Sequence, residues 1–345
     1  MRSSIIMILS LNASILGQGP GRDQLETRVD KGLAFLRVMQ EKDGAWIVNG
    51  EKHVAITSLA TLAYLAAGHV PGEGPHGEAT DRAVKWLLKQ QRDDGVFASQ
   101  QDAEMYHHGI ATLLLTQLVG MTSGDDAKEL RVRLQKAVQV IVKGQCVVAG
   151  PSLGGWRYNA VNIQDADISV TSWQLLSLRA ARNVGCDVPT ETIQRAVKYI
   201  DRCRDPATGG FTYAGGGPSG PCTGTGLLLL EICGKDFHRS RDALQAGSFL
   251  LKNIPAATDG HFHYGIYYMS QGLFQLGNNY WNAFRPELHK LLLPIQLPNG
   301  SWLANDSYGP VYATAMALAA LTVEYRLLPI FQRDEETSVK KTPSR

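Results

Sequence analysis

The chain has 345 residues, of which 44% are hydrophobic, so it can bury a large core and is not disordered in general. Lys and Arg (34) nearly balance Asp and Glu (32), and the net charge of +2 without a basic block excludes nucleic acid as the main partner. Five cysteines without a C-x-x-C pair indicate neither a zinc ribbon nor a disulfide scaffold.

Residues 1–19 have the pattern of an export signal. Arg2 is followed by a mostly apolar run over 5–16 and then by the small residues around Gly17 and Gly19. This order predicts a secretory signal peptide, and therefore a periplasmic or extracellular protein. The alternative is a frayed N-terminal helix. In both cases the run is too short to cross a bilayer.

A short turn sequence recurs six times and sets the organisation of the chain. Each copy has a glycine, usually in Asp-Gly, Asn-Gly or Gly-Gly, followed within two residues by an aromatic side chain. Glycine tolerates the positive φ that such turns need, and the aromatic residue can then close the turn against a core. The six copies are residues 43–46, 94–97, 154–156, 209–211, 259–262 and 299–302.

Two kinds of helix are predicted around each turn. The segment before the turn is amphipathic, and in the first copy Val29, Leu33 and Leu36 share one face. The segment after the turn is apolar nearly all round, which indicates a helix buried on every side. The alternation predicts a closed ring of six helical hairpins over 24–331, followed by a disordered tail at 332–345. The inner helices are predicted at 55–68, 109–120, 169–181, 224–234, 265–277 and 311–323.

The repeats resemble those of a known family. Residues 31–46 read Lys-Gly-x-x-Phe-Leu-x-x-x-Gln-x-x-x-Gly-x-Trp, and residues 82–97 match them closely, with Trp86 and Phe97 at the aromatic positions. This pattern is similar to the QW repeat of squalene-hopene and oxidosqualene cyclases. The stretch 313–329 also looks like uncharacterised bacterial prenyltransferase/squalene-oxidase-repeat proteins. The resemblance implies an all-α fold, the α/α toroid of terpenoid cyclases and protein prenyltransferases, with inner and outer rings of helices.

In such a ring the inner helices run parallel, so their N-terminal ends meet at one opening, called the mouth below. Polar and aromatic side chains are concentrated at these helix starts, which is typical of a small-molecule pocket. We therefore predict substrate-binding roles for Tyr106, His107, His108, Trp173, His263, Tyr264, Tyr267, Tyr268, Gln271 and Tyr312.

The stretch 165–169, Asp-Ala-Asp-Ile-Ser, resembles the D-x-D-D-T motif of class II terpene cyclases. The resemblance implies that Asp167 is the general acid that protonates an alkene or epoxide, with Asp165 beside it and aromatic faces stabilising the cation. Two departures stand against this role. Ile168 replaces the third acid, and the chain has no room for the second domain that closes the cavity of full cyclases. The alternative is that the two acids cap their helix.

No metal or other cofactor is predicted. His107 and His108 are adjacent, so their side chains leave a helix in different directions and do not easily bind one ion. Residues 259–263 lack the cysteine of the zinc site that protein prenyltransferases carry at this point, which disfavours protein prenylation.

Three functions remain open at this stage. The first is a terpene-cyclase-like toroid that binds an isoprenoid or other apolar molecule in its central cavity. Such a protein could use Asp167 for protonation-initiated cyclisation. It could also contact a membrane peripherally. The second is a glycan-active or glycan-binding α/α barrel of the periplasm, for which Glu104 and Asp167 are the candidate acid pair. The third is a non-catalytic interaction scaffold, which a ring axis filled by side chains would favour.

Overall fold

The computed structural model describes residues 20–99, 103–122, 124–161, 164–233 and 238–332. The predicted signal peptide at 1–19, and all but the first residue of the predicted tail, lie outside these ranges. Helices dominate the described chain, and none of them combines the length and the apolar character that a membrane crossing needs.

The helices form two layers, as the alternation of amphipathic and apolar segments predicts. Helices of the inner layer are buried nearly all round, whereas those of the outer layer bury one face. The outer helices are α1 (Pro20–Met39), α3 (Gly77–Leu88), α5 (Gly124–Lys143), α7 (Thr190–Arg202), α9 (Arg241–Lys252) and α11 (Asn278–Leu292). The inner helices are α2 (Val54–Ala66), α4 (Glu104–Leu118), α6 (Ile168–Asn183), α8 (Gly220–Cys233), α10 (Phe262–Leu276) and α12 (Gly309–Leu321).

The inner helices close into a ring. Each packs against the next along the chain, and α12 packs back against α2. The predicted α/α toroid is therefore confirmed. Some inner helices begin earlier than predicted: α4 begins at Glu104 rather than at residue 109, because the polar and aromatic residues of the mouth form its first turn. A small hairpin of β1 (Ile47–Val48) and β2 (Glu51–Lys52), with Ile47 opposite Lys52, precedes α2.

The QW-like residues join neighbouring hairpins. Gln40 donates from Nε2 to the carbonyl oxygens of Gly44 in its own turn (3.0 Å) and of Ala79 in the next outer helix (2.8 Å). The buried Trp46 donates from Nε1 to the carbonyl of Leu36 (2.9 Å). These bonds explain why glutamine, glycine and tryptophan are spaced as they are along the sequence. Only at this spacing do the side chains of Gln40 and Trp46 reach their backbone partners. Gln91, Gln145 and Gln296 make the equivalent bridges, and the bridge of Gln296 reaches back to Arg28 of α1.

Candidate ligand site at the mouth of the ring

Asp167 is the N-cap of α6 and is fully buried. Its Oδ1 accepts hydrogen bonds from the backbone N–H groups of Ser169 and Val170 (both 2.9 Å) and from the Ser169 hydroxyl (2.7 Å). Its Oδ2 accepts from Nη1 of Arg157 at 2.7 Å. The structure thus shows the helix-capping alternative. Because all four bonds are accepted, they suit an ionised carboxylate rather than the proton donor that the resemblance implies.

Arg157 is the charged centre of the mouth. Besides Asp167 it binds the exposed Asp165, with 3.2 Å between Nε and Oδ2. Its guanidinium lies 4.3 Å from the ring centroid of Tyr158 and 5.6 Å from that of Tyr213. Partial burial disfavours the charge of Arg157, but the hydrogen bond and negative charge of Asp167 outweigh it and raise the pKa of Arg157. The guanidinium is therefore a permanent cation held by two carboxylates.

A group of tyrosines surrounds this ion cluster. The hydroxyls of Tyr158 and Tyr213 are hydrogen-bonded to each other, and Nη1 of Arg157 donates to the Tyr213 hydroxyl at 3.0 Å. Tyr106 stacks on Tyr158 with 5.9 Å between ring centroids, and its hydroxyl bonds to Ser169. Burial raises the pKa of Tyr106 and Tyr213, so both hydroxyls stay protonated at neutral pH. The mouth therefore offers aromatic faces beside neutral and charged hydrogen-bonding groups.

Two further tyrosines lie at the same end of the ring, where α12 begins. Tyr308 is 48% exposed, and its ring centroid is 5.2 Å from that of the predicted site residue Tyr312. Tyr264, at the start of α10, is hydrogen-bonded through its hydroxyl to Thr225 of α8 at 2.9 Å. Tyr106, Tyr264 and Tyr312 thus lie at the mouth.

The sequence analysis missed Arg157, Tyr158 and Tyr213. They lie in the stretches between the turn aromatic and the inner helix, outside the helix starts on which the prediction relied. A signal was present: aligning the repeats on their turns places Tyr158 and Tyr213 at the same position, two residues after Trp156 and Phe211.

The two adjacent histidines of α4 have different surroundings. His107 packs against His53 with 4.3 Å between ring centroids, and its Nδ1 accepts from the Ser99 hydroxyl at 3.1 Å. His108 is fully buried, accepts the N–H of Phe97 at Nδ1 (3.1 Å) and donates from Nε2 to the carbonyl of Ala137 (2.9 Å). Both ring nitrogens of His108 are thus engaged, one with the second turn and one with α5, which leaves neither of them open to a substrate.

The other repeats explain the position of His108. In four of the other five, a threonine hydroxyl in the first turn of the inner helix accepts the N–H of the turn aromatic, as Thr171 does for Trp156 at 2.9 Å. Thr57, Thr223 and Thr314 do the same in three other repeats. His108 therefore replaces a structural threonine.

Buried histidines make the fold sensitive to acid. Burial lowers the pKa of His53, His108 and His263 to about 4 and that of His107 to about 3. Between the unfolded pKa near 6.5 and these folded values, the unfolded chain binds more protons, so the free energy of unfolding falls as the pH is lowered through that window. Each histidine contributes a slope of about 1.4 kcal/mol per pH unit.

Urea unfolding at pH 7.0 and pH 5.0 measures this effect. His108→Thr supplies the hydroxyl acceptor that four other repeats use. It is expected to reduce the pH dependence of the unfolding free energy by the contribution of one histidine, about 1.4 kcal/mol per pH unit. His261→Asn, at an exposed residue just before α10 whose left-handed conformation asparagine tolerates, serves as the control. An unfolding free energy that does not change between the two pH values would contradict the assigned burial.

The axis of the ring is filled by side chains from inner helices that are not neighbours in the ring. Trp173 of α6 stacks on Tyr267 of α10 at 5.8 Å and 14° between ring planes, and the hydroxyls of Ser172 and Tyr268 are hydrogen-bonded at 2.8 Å. A remaining space beside Tyr267 has a volume of about 10 Å³, which holds at most one water. Trp173, Tyr267 and Tyr268 therefore fill the axis rather than line an open cavity. This arrangement counts against a ligand in the axis and is the one that favours the interaction scaffold.

Two predicted polar residues of α10 also lie in the interior. Gln271 donates from Nε2 to the carbonyl of Ala319 at 3.2 Å, and among the described residues its Oε1 has no hydrogen-bond partner. Both ring nitrogens of the buried His263 likewise lack a hydrogen-bond partner within the described chain. Among the described residues, no hydrogen bond or ring contact joins either of them to Arg157, Tyr158 or Tyr213.

The candidate acid pair is already engaged in other contacts. Glu104 is buried, accepts the N–H of Ala160 at Oε1 (2.9 Å) and pairs with Arg92 at 3.2 Å through Oε2. Asp167 caps α6 and is paired with Arg157, as described above. Across residues 20–332, as far as they are described, no three His, Cys, Asp or Glu side chains are grouped to hold a metal.

No protein-family model matches the sequence. The fold is similar to an inactive variant of the α-1,6-mannanase GH76A of Salegentibacter sp. HEL1_6 in complex with α-1,6-mannotriose (TM-score 0.68, 9% identity, 88% of this chain and 99% of that chain). It is also similar to the type II terpene cyclase MstE from Scytonema (TM-score 0.60, 17% identity, 89% of this chain and 100% of that chain). Both comparisons support the α/α toroid.

Proposed function

We propose that the mouth binds a saccharide and does not hydrolyse it. The observation that carries this proposal is the Arg157–Asp165 ion pair enclosed by the rings of Tyr158 and Tyr213, with 36% of Tyr213 exposed to solvent. A pyranose has an apolar C–H face that packs on an aromatic ring, and hydroxyls at its edge that bond strongly to charged groups. The mouth offers both kinds of contact side by side.

Binding without hydrolysis follows from the state of the carboxylates. Hydrolysis of a glycosidic bond needs two carboxyl groups, one of which carries a proton for the leaving group. Asp167 and Glu104 each accept hydrogen bonds and pair with an arginine, so neither is arranged as that proton donor. Asp165 pairs with Arg157 and accepts the N–H of Ala166, but it is exposed, and its remaining lone pairs can accept a sugar hydroxyl.

The comparisons support a saccharide as one of two ligand classes. The mannanase neighbour binds α-1,6-mannotriose, and the MstE neighbour has been observed with geranylgeranyl dihydroxybenzoate. An apolar ligand in the axis of this chain would have to displace Trp173 and Tyr267, whereas a saccharide at the mouth displaces no side chain from the core. We further propose a single ring domain over 24–331 that is exported through residues 1–19.

Calorimetric titration with α-1,6-mannotriose, cellotriose and chitotriose tests the proposal. At least one of these is expected to bind, and Tyr213→Ala is expected to weaken binding about fivefold, because one stacking surface is worth about 1 kcal/mol. Tyr280→Ala on the outer helix α11 is the matched control and should bind like the unmodified chain. No heat with any of the three sugars, or equal loss in both variants, would refute the proposal.

A further inference from the structure

A groove on the outside of the ring is open to solvent and has a volume of about 530 Å³, which is in the range of ligand sites. One wall is a face of the outer helix α9, and the other is the turn at residues 207–208, which follows α7. We call this space the α9 groove. Residues three or four positions apart on a helix lie on one face, so the lining from α9 is a continuous stripe. The stripe consists of positions 241, 244, 245, 248, 249 and 252.

The opposite face of α9 attaches the helix to the ring. Ala243, Ala246 and Leu250 are fully buried on that face. Gly247 packs so closely there that a Cβ would lie 2.9 Å from the ring of Tyr280. None of the six stripe positions belongs to the buried hydrophobic core. The groove face is therefore a surface that the fold leaves uncovered.

Two cations mark the ends of the stripe. Arg241 is the first residue of α9 and Lys252 is the last, and within the described chain neither forms an ion pair or a side-chain hydrogen bond. No Asp or Glu is among the residues that line the groove. Asp242 and Asp205, the acids next to lining residues in the sequence, are engaged in an ion pair and in the hydrogen bonds of their turn. The groove therefore has uncompensated positive charge at both ends, which favours a ligand with an anionic group at each end.

Apolar surface and a side-chain amide lie between the two cations. Leu244 is 40% exposed, and the ring of Phe249 lies against Gly210 of the turn. The amide of Gln245 makes no hydrogen bond to another described residue, although it lines the groove. A carboxamide has both donors and an acceptor, so it can pair with the N–H and the C=O of a peptide backbone. This amide favours a peptide over an anion without peptide groups.

We propose that the α9 groove binds an extended acidic peptide of the pattern acid–x–apolar–x–acid. The Cα atoms of Arg241 and Lys252 are about 16 Å apart along the helix, at 1.5 Å per residue. In an extended peptide the first, third and fifth side chains point to one side and span about 13 Å, and the long arginine and lysine side chains cover the difference. The two acids then meet the cations, and the apolar side chain contacts Leu244 and Phe249. This inference does not depend on the ligand of the mouth.

Fluorescence anisotropy with the full chain and a labelled Glu-Ser-Leu-Ser-Glu peptide tests the proposal. We expect saturable binding that weakens as the salt concentration is raised, and no binding of a Lys-Ser-Leu-Ser-Lys peptide. Arg241→Gln and Lys252→Gln are each expected to weaken binding about threefold, as is typical of exposed ion pairs, and the double variant about tenfold. Lys89→Gln, at an exposed lysine that ends the outer helix α3, is the matched control and should leave the affinity unchanged.

Two further measurements distinguish other occupants of the groove. Dodecanedioate has two carboxylates on an apolar chain without peptide groups, and it should compete only weakly with the peptide. Gln245→Ala should weaken binding of the peptide alone. The proposal is overturned by the absence of saturable binding up to about 0.5 mM protein, by equal binding of the basic peptide, or by equally strong competition from dodecanedioate. It is also overturned if sedimentation shows a dimer that Leu244→Ser dissociates, because a second copy of the chain then covers the groove.

Discussion

Asp167→Ala is expected to lower the free energy of unfolding by about 3 kcal/mol. The substitution removes the acceptor of three hydrogen bonds at the start of α6 and leaves Arg157 without its buried partner. An N-cap alone contributes about 1 kcal/mol. The larger part of the loss comes from the ion pair, because removing the buried Asp167 leaves the charge of Arg157 unpaired. Chemical denaturation monitored by circular dichroism measures the effect.

Two matched variants separate the contributions at Asp167. Ser240→Ala removes another N-cap, in which the serine hydroxyl accepts the N–H of Ala243 at 3.2 Å, and is expected to cost only about 1 kcal/mol. Asp167→Ala combined with Arg157→Met should recover part of the loss, because no unpaired charge remains. A stability of Asp167→Ala equal to that of the unmodified chain would show that this carboxylate is not the structural cap described here.

Gly154→Ala is expected to be among the most destabilising single-methyl changes in the chain. Gly154 has a φ of +94°, and a Cβ at this position would collide with the carbonyl oxygen of Arg195 in α7. The substitution therefore combines a strained backbone with an overpacked contact in the turn. We expect a loss of at least about 3 kcal/mol in the free energy of unfolding.

Gly185→Ala is the control for the backbone part of this effect. Gly185 has a φ of +88°, but a Cβ there would meet nothing within 4 Å. Its substitution should cost about 1 kcal/mol from conformation alone. If the two variants lose the same free energy of unfolding, the close contact between the Gly154 turn and α7 does not contribute to the destabilisation. Gly44 and Gly300 have the same crowding against Arg82 and Lys31, and their alanine variants should behave like Gly154→Ala.

The fold could be predicted because its determinants repeat in the sequence. The turns share a glycine and an aromatic residue, and three of them also have a glutamine four residues before the glycine (Gln40, Gln91 and Gln296). These residues have structural partners, as Gln40 has in Gly44 and Ala79. Because the pattern occurs six times, it can be recognised even where a single copy is degenerate. The inner helices follow from composition, since a helix without a polar face must be buried on all sides.

The site could be predicted only in part, because side-chain direction is not encoded in a linear spacing. Tyr106, Tyr264 and Tyr312 lie at helix starts, and the structure places them at the mouth; their substrate-binding role stays a prediction. The helix starts could not show that Trp173 and Tyr267 point across the axis and stack, since that contact joins helices that are not neighbours in the ring. The ionic role of Asp167 was also hidden, because its partner Arg157 lies in a loop stretch without a helical pattern.

A crystal structure of the protein soaked with α-1,6-mannotriose, with a parallel soak in squalene, tests the central claim most directly. That claim is that ligands bind at the mouth while the axis stays filled. We predict saccharide density against Tyr158 and Tyr213, with the Trp173–Tyr267 stack unmoved in both crystals. Hydrocarbon density between Trp173 and Tyr267, together with an empty mouth in the saccharide soak, would contradict the claim and favour an isoprenoid ligand.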